Sequence, residues 1–383
     1  MRQNDAAHGP APASPSPNLL VMLSSVKWNF AWQRHHSLAR AAAEAGMRVV
    51  FVEPHPRSWR QAIGAARRAL ARLAPVRQHP GAAPARPRQA VPSGVAVLRW
   101  TPLDALPGYT AGRIRARAGA TDAPPLVIQY VPSRSALSLA RRLRPAAHLY
   151  DRVLDWASVP RSWHPPRDWE DVERQLLSEA RLMTDSAEMQ EQWQAHGRGS
   201  LLLPPAADEE FVEHPWSAPP PDGPVGYFGT VQHDIVDVQL LCESARHGPV
   251  EVVGSVDDDA AAALRAAGVR VRPQVPLAEL PAIIDRWSAI LLPYRVGARR
   301  ETLVPAKVWN AIATRRPVFT SGLSLPAELT ARTISFETIT NGERPVLSGA
   351  RSRARTAGGI PTWTAAWAAV RRHASAQSGG PDA

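Results

Sequence analysis

Short apolar runs alternate with longer amphipathic stretches along the first half of the chain. Each run is five to seven residues long, the length of a buried strand, and most are followed by a stretch with helical spacing, such as Gln33 to Ala45. The runs lie at 19–25, 48–54, 95–100, 126–131, 147–151, 181–186 and 200–205. This alternation predicts a parallel sheet with helices on both faces.

A proline-rich segment interrupts the pattern, which then restarts. Residues 214–224 hold five prolines, as a semi-rigid linker does. Beyond them, strand-like runs again alternate with helical segments, at 225–231, 250–255, 269–273, 289–294 and 317–321. We therefore predict an α/β protein with two doubly wound, Rossmann-like domains. Its parts are a disordered lead-in at 1–18, a domain at 19–213, the linker 214–224, a domain at 225–350, and a loop, helix and tail at 351–383.

Length and composition agree with two domains in the cytosol. A chain of 383 residues exceeds the size at which one core keeps growing, and 44% apolar residues suffice for two cores. No apolar run is long enough to span a membrane, and residues 1–18 lack a signal-peptide segment, so we expect a cytoplasmic protein. The single cysteine, Cys242, is expected to be a small core residue, which excludes metal sites built on cysteine.

Positive charge is concentrated in one part of the chain. The net charge is +11, and residues 55–118 contain twelve arginines against one acid, Asp104. A helix from Trp59 to Leu73 would have an apolar stripe and basic remaining faces, although an ordinary surface helix has the same periodicity. Since nucleic-acid-binding motifs are absent from the sequence, we expect the partner to be an anionic membrane surface and no nucleic acid.

Candidate ligand-binding residues follow strand ends of the second domain. Open α/β sheets bind ligands beyond the carboxyl ends of their strands. Gly226 and Gly229 lie on the first strand and turn, where backbone N–H groups could approach a diphosphate, or where a tight turn needs glycine without any ligand.

The segment Val304 to Ala313 carries a stronger signal. Pro305 is typical of a first helical position, which places Lys307 in the first turn, where the helix dipole disfavours a cation unless a phosphate shares the site. The alternative is a solvated lysine. Asn310 could hydrogen-bond a ribose hydroxyl, and three arginines of the preceding loop could add charge to the diphosphate or be solvated: Arg295, Arg299 and Arg300.

Two carboxylates follow a strand of the first domain. Asp155 is our first candidate for a general base and Asp151 the second, and either could instead cap the next helix. Four tryptophans on this side could stack on sugar rings or belong to the core: Trp28, Trp32, Trp156 and Trp163.

Seven motifs in order resemble bacterial GT-B glycosyltransferases of the teichuronic-acid type and, more distantly, xanthan-type membrane-associated glucuronosyltransferases. They span about residues 19 to 330: Trp28-Asn-Phe-Ala-Trp-Gln-Arg34 with Glu53-Pro54, Tyr150-Asp-x(3)-Asp155, Thr184-Asp-Ser186, Pro204-Pro-Ala-Ala-Asp-Glu-Glu-Phe211, Gly226-Tyr-Phe-Gly-Thr230, Leu292-Pro-Tyr294 and Pro305-x-Lys-x(2)-Asn-x(2)-Ala313.

The resemblance implies two Rossmann-like domains facing across a cleft, with a nucleotide-diphosphate sugar as donor and no obligatory metal or cofactor. It implies an aspartate of the first domain as base. The implied donor residues are Gly226, Gly229, Thr230, Tyr294, Arg299, Pro305, Lys307 and Asn310, and the implied acceptor residues are Trp28, Trp32, Arg34 and Trp156.

The chain departs from this family at three places. Asn310 and Thr302 stand where relatives carry glutamate, and Pro204-Pro-Ala-Ala replaces Pro-Asn-Gly. We expect a hexosyltransferase-type enzyme acting on a saccharide or lipid-linked acceptor in cell-surface polysaccharide or glycoconjugate synthesis. The alternatives are a sugar-nucleotide 2-epimerase of the same architecture and a catalytically degenerate GT-B scaffold.

Overall fold

A computed structural model of the chain describes residues 17–54, 89–106, 108–119, 123–157, 166–295, 305–336 and 359–376. The basic segment from Trp59 to Leu73, Trp163, Arg299, Arg300 and Thr302 lie outside the described residues.

Seven parallel strands form the first sheet, in the order β3-β2-β1-β4-β5-β6-β7. The order reverses between β1 and β4, which pair directly, so the loops after these two strands diverge at the carboxyl edge. The strands are β1 Leu19–Leu23, β2 Arg48–Val52, β3 Val95–Leu98, β4 Leu126–Gln129, β5 Ala147–Arg152, β6 Arg181–Thr184 and β7 Ser200–Leu202.

Helices connect these strands and bury their apolar stripes on the sheet. They are α1 Arg34–Glu44, α2 Tyr109–Ala118 after a 3-10 turn at Pro102–Ala105, α3 Arg134–Leu143, α4 Trp169–Glu179, α5 Ala187–Ala195 and the short α6 Glu209–Val212. The side chains of Ser133 and Ser186 accept backbone N–H groups at the starts of α3 and α5.

Six parallel strands form the second sheet with the same kind of order, β10-β9-β8-β11-β12-β13. Its strands are β8 Val225–Phe228, β9 Val250–Val253, β10 Arg270–Arg272, β11 Ala289–Pro293, β12 Val318–Ser321 and β13 Ile334–Ser335. Its helices are α7 Val238–Ser244, α8 Asp258–Ala266, α9 Leu280–Ile284 after a 3-10 turn at Leu277–Glu279, α10 Lys307–Ala313 and α11 Ala327–Thr330.

The last helix, α12 Trp363–Ser375, returns to the first sheet. It packs on α1 and β5, and its Trp363 and Trp367 are buried in the same apolar cluster as Met22 and Phe51. The chain therefore crosses from the second sheet back to the first, which ties the two halves together.

The sequence located most elements but misplaced some ends. β13 was not predicted, because a two-residue strand leaves no periodic signal. Cys242 is half-buried at the edge of the core cluster of the second sheet. The boundaries at 213 and 225 stay predictions, with the first sheet ending at Leu202 and the second beginning at Val225.

Candidate functional site

Lys307 lies directly against the turn that ends β8. Gly229 in this turn has a φ of 120°, and a Cβ on Gly229 would stand 2.6 Å from the Lys307 Nζ. A side chain at 229 would have to displace the ammonium group, and the positive φ independently favours glycine at this point. Since β8 and β11 are the strands between which the second sheet reverses its order, Lys307 lies at the position where such sheets bind ligands.

Two tyrosines surround the ammonium group. Lys307 Nζ donates a hydrogen bond of 2.8 Å to the Tyr227 hydroxyl and lies 4.5 Å from the centroid of that ring. The Tyr294 ring centroid is 5.6 Å away on another side. The Tyr227 hydroxyl in turn donates to the Thr230 carbonyl over 2.9 Å, which fixes the turn and the lysine together. The charge of Lys307 is thus held in place by aromatic faces and one hydroxyl.

Gly226 is required by the packing of the core, and its predicted role beside a diphosphate stays a prediction. It lies inside β8, and a Cβ there would stand 2.0 Å from the indole ring of Trp287, which is fully buried. The glycine makes room for this tryptophan in the core.

The start of α10 also differs from the prediction. The helix begins at Lys307 with Ala306 as its N-cap, so Pro305 precedes the helix and opens the turn that leads into it. Arg295 is exposed at the end of β11, where its backbone N–H donates to the Ile235 carbonyl.

Asn310 pairs with Asp208. Its amide donates to Asp208 Oδ2 over 2.9 Å, and its amide oxygen accepts the Asp208 backbone N–H over 2.8 Å. Asn310 is 7% exposed. Both polar atoms of Asn310 therefore bond to Asp208, and the ribose contact stays a prediction.

Asp151 and Arg34 neutralise each other in the interior of the first domain. The Arg34 guanidinium donates to both Asp151 oxygens, over 2.8 and 2.9 Å, and to the Leu203 carbonyl over 2.6 Å. Asp151 is fully buried. This pair holds both charged groups in the interior, and their predicted roles as base and acceptor ligand stay predictions.

Asp155 is the more accessible of the two carboxylates, with a quarter of its side chain exposed. Its Oδ1 accepts the Ala157 backbone N–H over 3.3 Å and lies 3.6 Å from the Arg152 guanidinium. Arg152 is in turn held by Glu173 over 2.8 Å, so the carboxylate is oriented by a buried partner. Of the two predicted bases, Asp155 is the more accessible, and its role as base stays a prediction.

The tryptophans divide between core and surface. Trp28 and Trp156 are buried, and their indole N–H groups donate to the Ala90 carbonyl and the Tyr150 hydroxyl, so both belong to the core and their role in acceptor binding stays a prediction. Trp32 is partly exposed, and its indole N–H donates to Ser37 over 2.8 Å and to Asp208 over 3.1 Å. Of these three, only Trp32 is partly exposed, and its ring packs against His36 and the Arg40 guanidinium.

A cavity of about 340 Å³ opens at the carboxyl ends of β1, β2 and β4, where the first sheet reverses its order. Its polar lining was not predicted from the sequence and includes Ser24, Glu53, Ser133 and Arg134. Glu53 Oε1 accepts the Trp28 backbone N–H over 3.1 Å. The position of Glu53 directly after β2 could have indicated this cavity from the sequence, because the carboxyl ends of parallel strands meet at one edge of the sheet.

A buried histidine lies on the same side. His35 Nε2 and the Ser25 hydroxyl are 2.9 Å apart, and the imidazole ring packs on Tyr130 with centroids 3.9 Å apart. Burial, with the nearby His36 and Arg34, holds the pKa of His35 well below 6.5, so its ring is neutral at pH 7.

Within the described ranges, one acidic cluster has metal-ligand spacing: Asp208, Glu209 and Glu210. The Arg40 guanidinium contacts all three carboxylates, at 3.5 Å from Asp208, 2.7 Å from Glu209 and in a short contact with Glu210. An arginine thus supplies the positive charge of this cluster.

Comparisons with known proteins identify the fold. No family model and no curated protein matches the chain. Among solved structures, HepE of Anabaena in complex with UDP and glucose has a TM-score of 0.54 at 10% identity, over 93% of this chain and 98% of that chain.

Two further solved structures are more distant. AviGT4, a glycosyltransferase involved in avilamycin A biosynthesis, has a TM-score of 0.45 at 12% identity, over 93% of both chains. A putative UDP-N-acetylglucosamine 2-epimerase from Listeria monocytogenes has a TM-score of 0.45 at 10% identity, over 94% of this chain and 97% of that chain. The two parallel sheets and the likeness to HepE show that this chain has the two-domain α/β GT-B fold.

Proposed function

We propose that the protein is a glycosyltransferase that takes a hexosyl group from a nucleotide-diphosphate sugar. The observation that carries this proposal is the ammonium group of Lys307, fixed against Gly229 at the switch point of the second sheet. A cation at the start of a helix opposes the helix dipole, and a diphosphate binding there would be attracted by both the lysine and the backbone N–H groups of the Gly229 turn.

The likeness to HepE supports UDP as the nucleotide. HepE holds UDP and glucose, and it shares the fold of this chain over 93% of the chain. We infer that the diphosphate contacts Lys307 and the Gly229–Thr230 turn, and that the Tyr294 ring packs beside it. Thr230 is held in this turn because its carbonyl accepts the Tyr227 hydroxyl.

The proposed transfer needs one base and one stabilised leaving group. A hydroxyl oxygen of the acceptor forms a bond to the anomeric carbon, and the bond from that carbon to the diphosphate breaks. Asp155 takes the hydroxyl proton, and Lys307 stabilises the negative charge on the departing diphosphate. With these two groups, the proposal requires no cofactor.

The acceptor is proposed to be a saccharide or lipid-linked saccharide used in cell-surface polysaccharide or glycoconjugate synthesis. The cavity of about 340 Å³ has the volume of a small-molecule site, and hydroxyl, carboxylate and guanidinium groups line it among apolar side chains. No helix in the described ranges is both long and apolar enough to cross a bilayer. We propose peripheral attachment at the cytoplasmic face of the membrane through the arginine-rich sequence between residues 57 and 77.

Product analysis tests this function. Incubation with a UDP-hexose and a candidate acceptor should release UDP in proportion to glycosylated acceptor. Conversion of the donor sugar without acceptor would identify an epimerase instead. Donor binding without either reaction, over a broad acceptor panel, would indicate a scaffold.

A further inference from the structure

Asp208 is the point at which side chains of the two halves of the molecule meet. It immediately precedes α6, on the segment between the sheets, and is 4% exposed. On the side of the first domain its Oδ1 accepts hydrogen bonds from the Ser37 hydroxyl over 2.6 Å and from the Trp32 indole over 3.1 Å. On the side of the second domain it pairs with Asn310 of α10.

The bonds between Asp208 and Asn310 are reciprocal. The Asp208 backbone N–H donates to the Asn310 amide oxygen, and the Asn310 amide donates to the Asp208 carboxylate. An asparagine can give and accept in this way, whereas a second carboxylate could not donate. The site is closed to water, so a mismatch of donors and acceptors there would be costly.

The segment around Asp208 is anchored to the first domain. Glu209 and Glu210 both bind Arg40 of α1, and Glu209 also accepts the backbone N–H of Thr364 at the start of α12. The Ala207 backbone N–H donates to the Pro361 carbonyl over 2.8 Å. Asp208 is therefore attached to the α1 and α12 side, and its bonds to Asn310 hold α10 against that side.

Asn310 follows Lys307 by three residues on α10, one turn away. We propose that the Asp208–Asn310 pair is a positioning pair that sets the donor lysine relative to the acceptor domain, through the path from Trp32 to Asp208, Asn310 and Lys307. The inference rests on the proposed function for its activity readout. Nucleotide binding itself uses Lys307, Gly229 and Tyr227, all of the second domain, and does not need the pair.

An exchange of the two side chains tests the pair. Asn310→Asp alone places two carboxylates face to face in a buried site, which is unfavourable. Asp208→Asn combined with Asn310→Asp restores the match: the amide at 208 donates to the carboxylate at 310, and its oxygen still accepts from Ser37 and Trp32. Gln192→Glu, an exposed position on α5, is the matched control for an added charge.

We expect Asn310→Asp to lower kcat by about tenfold or more, and the exchange variant to recover most of that loss, as coupled sites do. UDP affinity, measured by calorimetry, should stay within about twofold of the wild type in both variants. The substitutions change the contacts between residues 208 and 310 and leave those of Lys307 with Tyr227 and Gly229 in place. Gln192→Glu should behave as the wild type.

Two results would overturn the positioning role: full turnover in Asn310→Asp, or no recovery in the exchange variant. If Asn310→Asp fails to fold, Asn310→Ala and the exchange variant carry the same comparison. The melting temperature separates this proposal from the proposed function. If the exchange variant recovers the Tm lost in Asn310→Asp, while the wild-type protein neither binds UDP nor turns over a donor, the contact between residues 208 and 310 is retained and the transferase function is rejected.

Discussion

The hydrogen bond between Lys307 and the Tyr227 hydroxyl leads to a specific prediction for the loss of that hydroxyl. In Tyr227→Phe the aromatic ring, whose centroid lies 4.5 Å from Lys307 Nζ, remains, while the hydrogen bonds of 2.8 Å from Lys307 Nζ and 2.9 Å to the Thr230 carbonyl are lost, so the ammonium group is held less tightly. The fold should survive because the ring continues to fill the same volume.

The magnitude follows from what the hydroxyl does. Without it the lysine side chain gains rotamer freedom that nucleotide binding must remove again, at a cost of up to about 1.5 to 2 kcal/mol. Since 1.4 kcal/mol corresponds to a factor of ten, UDP affinity should fall by about tenfold.

Calorimetric titration of UDP into the wild type and Tyr227→Phe measures this change. Tyr109→Phe is the matched control, because Tyr109 is an exposed tyrosine on α2 of the first domain. Affinity in Tyr227→Phe within twofold of the wild type, with an unchanged melting temperature, would refute a positioning role for the hydroxyl.

Three further predictions concern the base, the pH dependence and the membrane. Asp155→Asn should lower turnover by about a hundredfold with UDP affinity preserved. Asp151→Asn should mainly destabilise the fold, by about 3 to 5 kcal/mol, because it leaves Arg34 buried without its charge partner. Equal loss of turnover in the two variants at equal stability would contradict these separate roles. Burial lowers the pKa of His36 and of His148 to about 4, so between pH 4 and 6.5 the unfolded state binds more protons than the folded state. The unfolding free energy should therefore fall as the pH is lowered from 6.5 to 4, by up to about 1.4 kcal/mol per pH unit for each ring. Urea unfolding across this interval checks the slope, and a flat profile would contradict it. The protein should co-sediment with anionic but not neutral vesicles. Co-sedimentation should weaken in high salt and after glutamate replaces Arg67, Arg68 and Arg72. Equal binding to both vesicle types would refute the membrane proposal.

Much of the fold follows from local signals in the sequence. Most strands of both sheets are apolar runs bounded by turn residues, and caps such as Asp237 and Asp257 mark helix starts of the second domain. Lys307 could be singled out because proline and lysine after a strand-end loop are a local pattern.

The contacts that define the site depend on residues far apart in the chain. The glycine at 226 is explained by Trp287, and the lysine at 307 is held by Tyr227, 80 residues earlier. No local pattern could show that Asn310 is committed to Asp208, since the two meet only when α10 packs beside the segment before α6. Arg34 and Asp151 were assigned separate roles for the same reason.

The central claim, that a nucleotide-sugar diphosphate binds at Lys307, is tested most directly by titrating UDP into Lys307→Ala. Lys27, an exposed residue of the first domain, provides the matched control Lys27→Ala. Loss of a charge-assisted hydrogen bond costs about 1.5 to 3 kcal/mol, so affinity should fall by at least about tenfold in Lys307→Ala and stay at the wild-type value in Lys27→Ala. Equal UDP affinity in the wild type and Lys307→Ala would contradict the account.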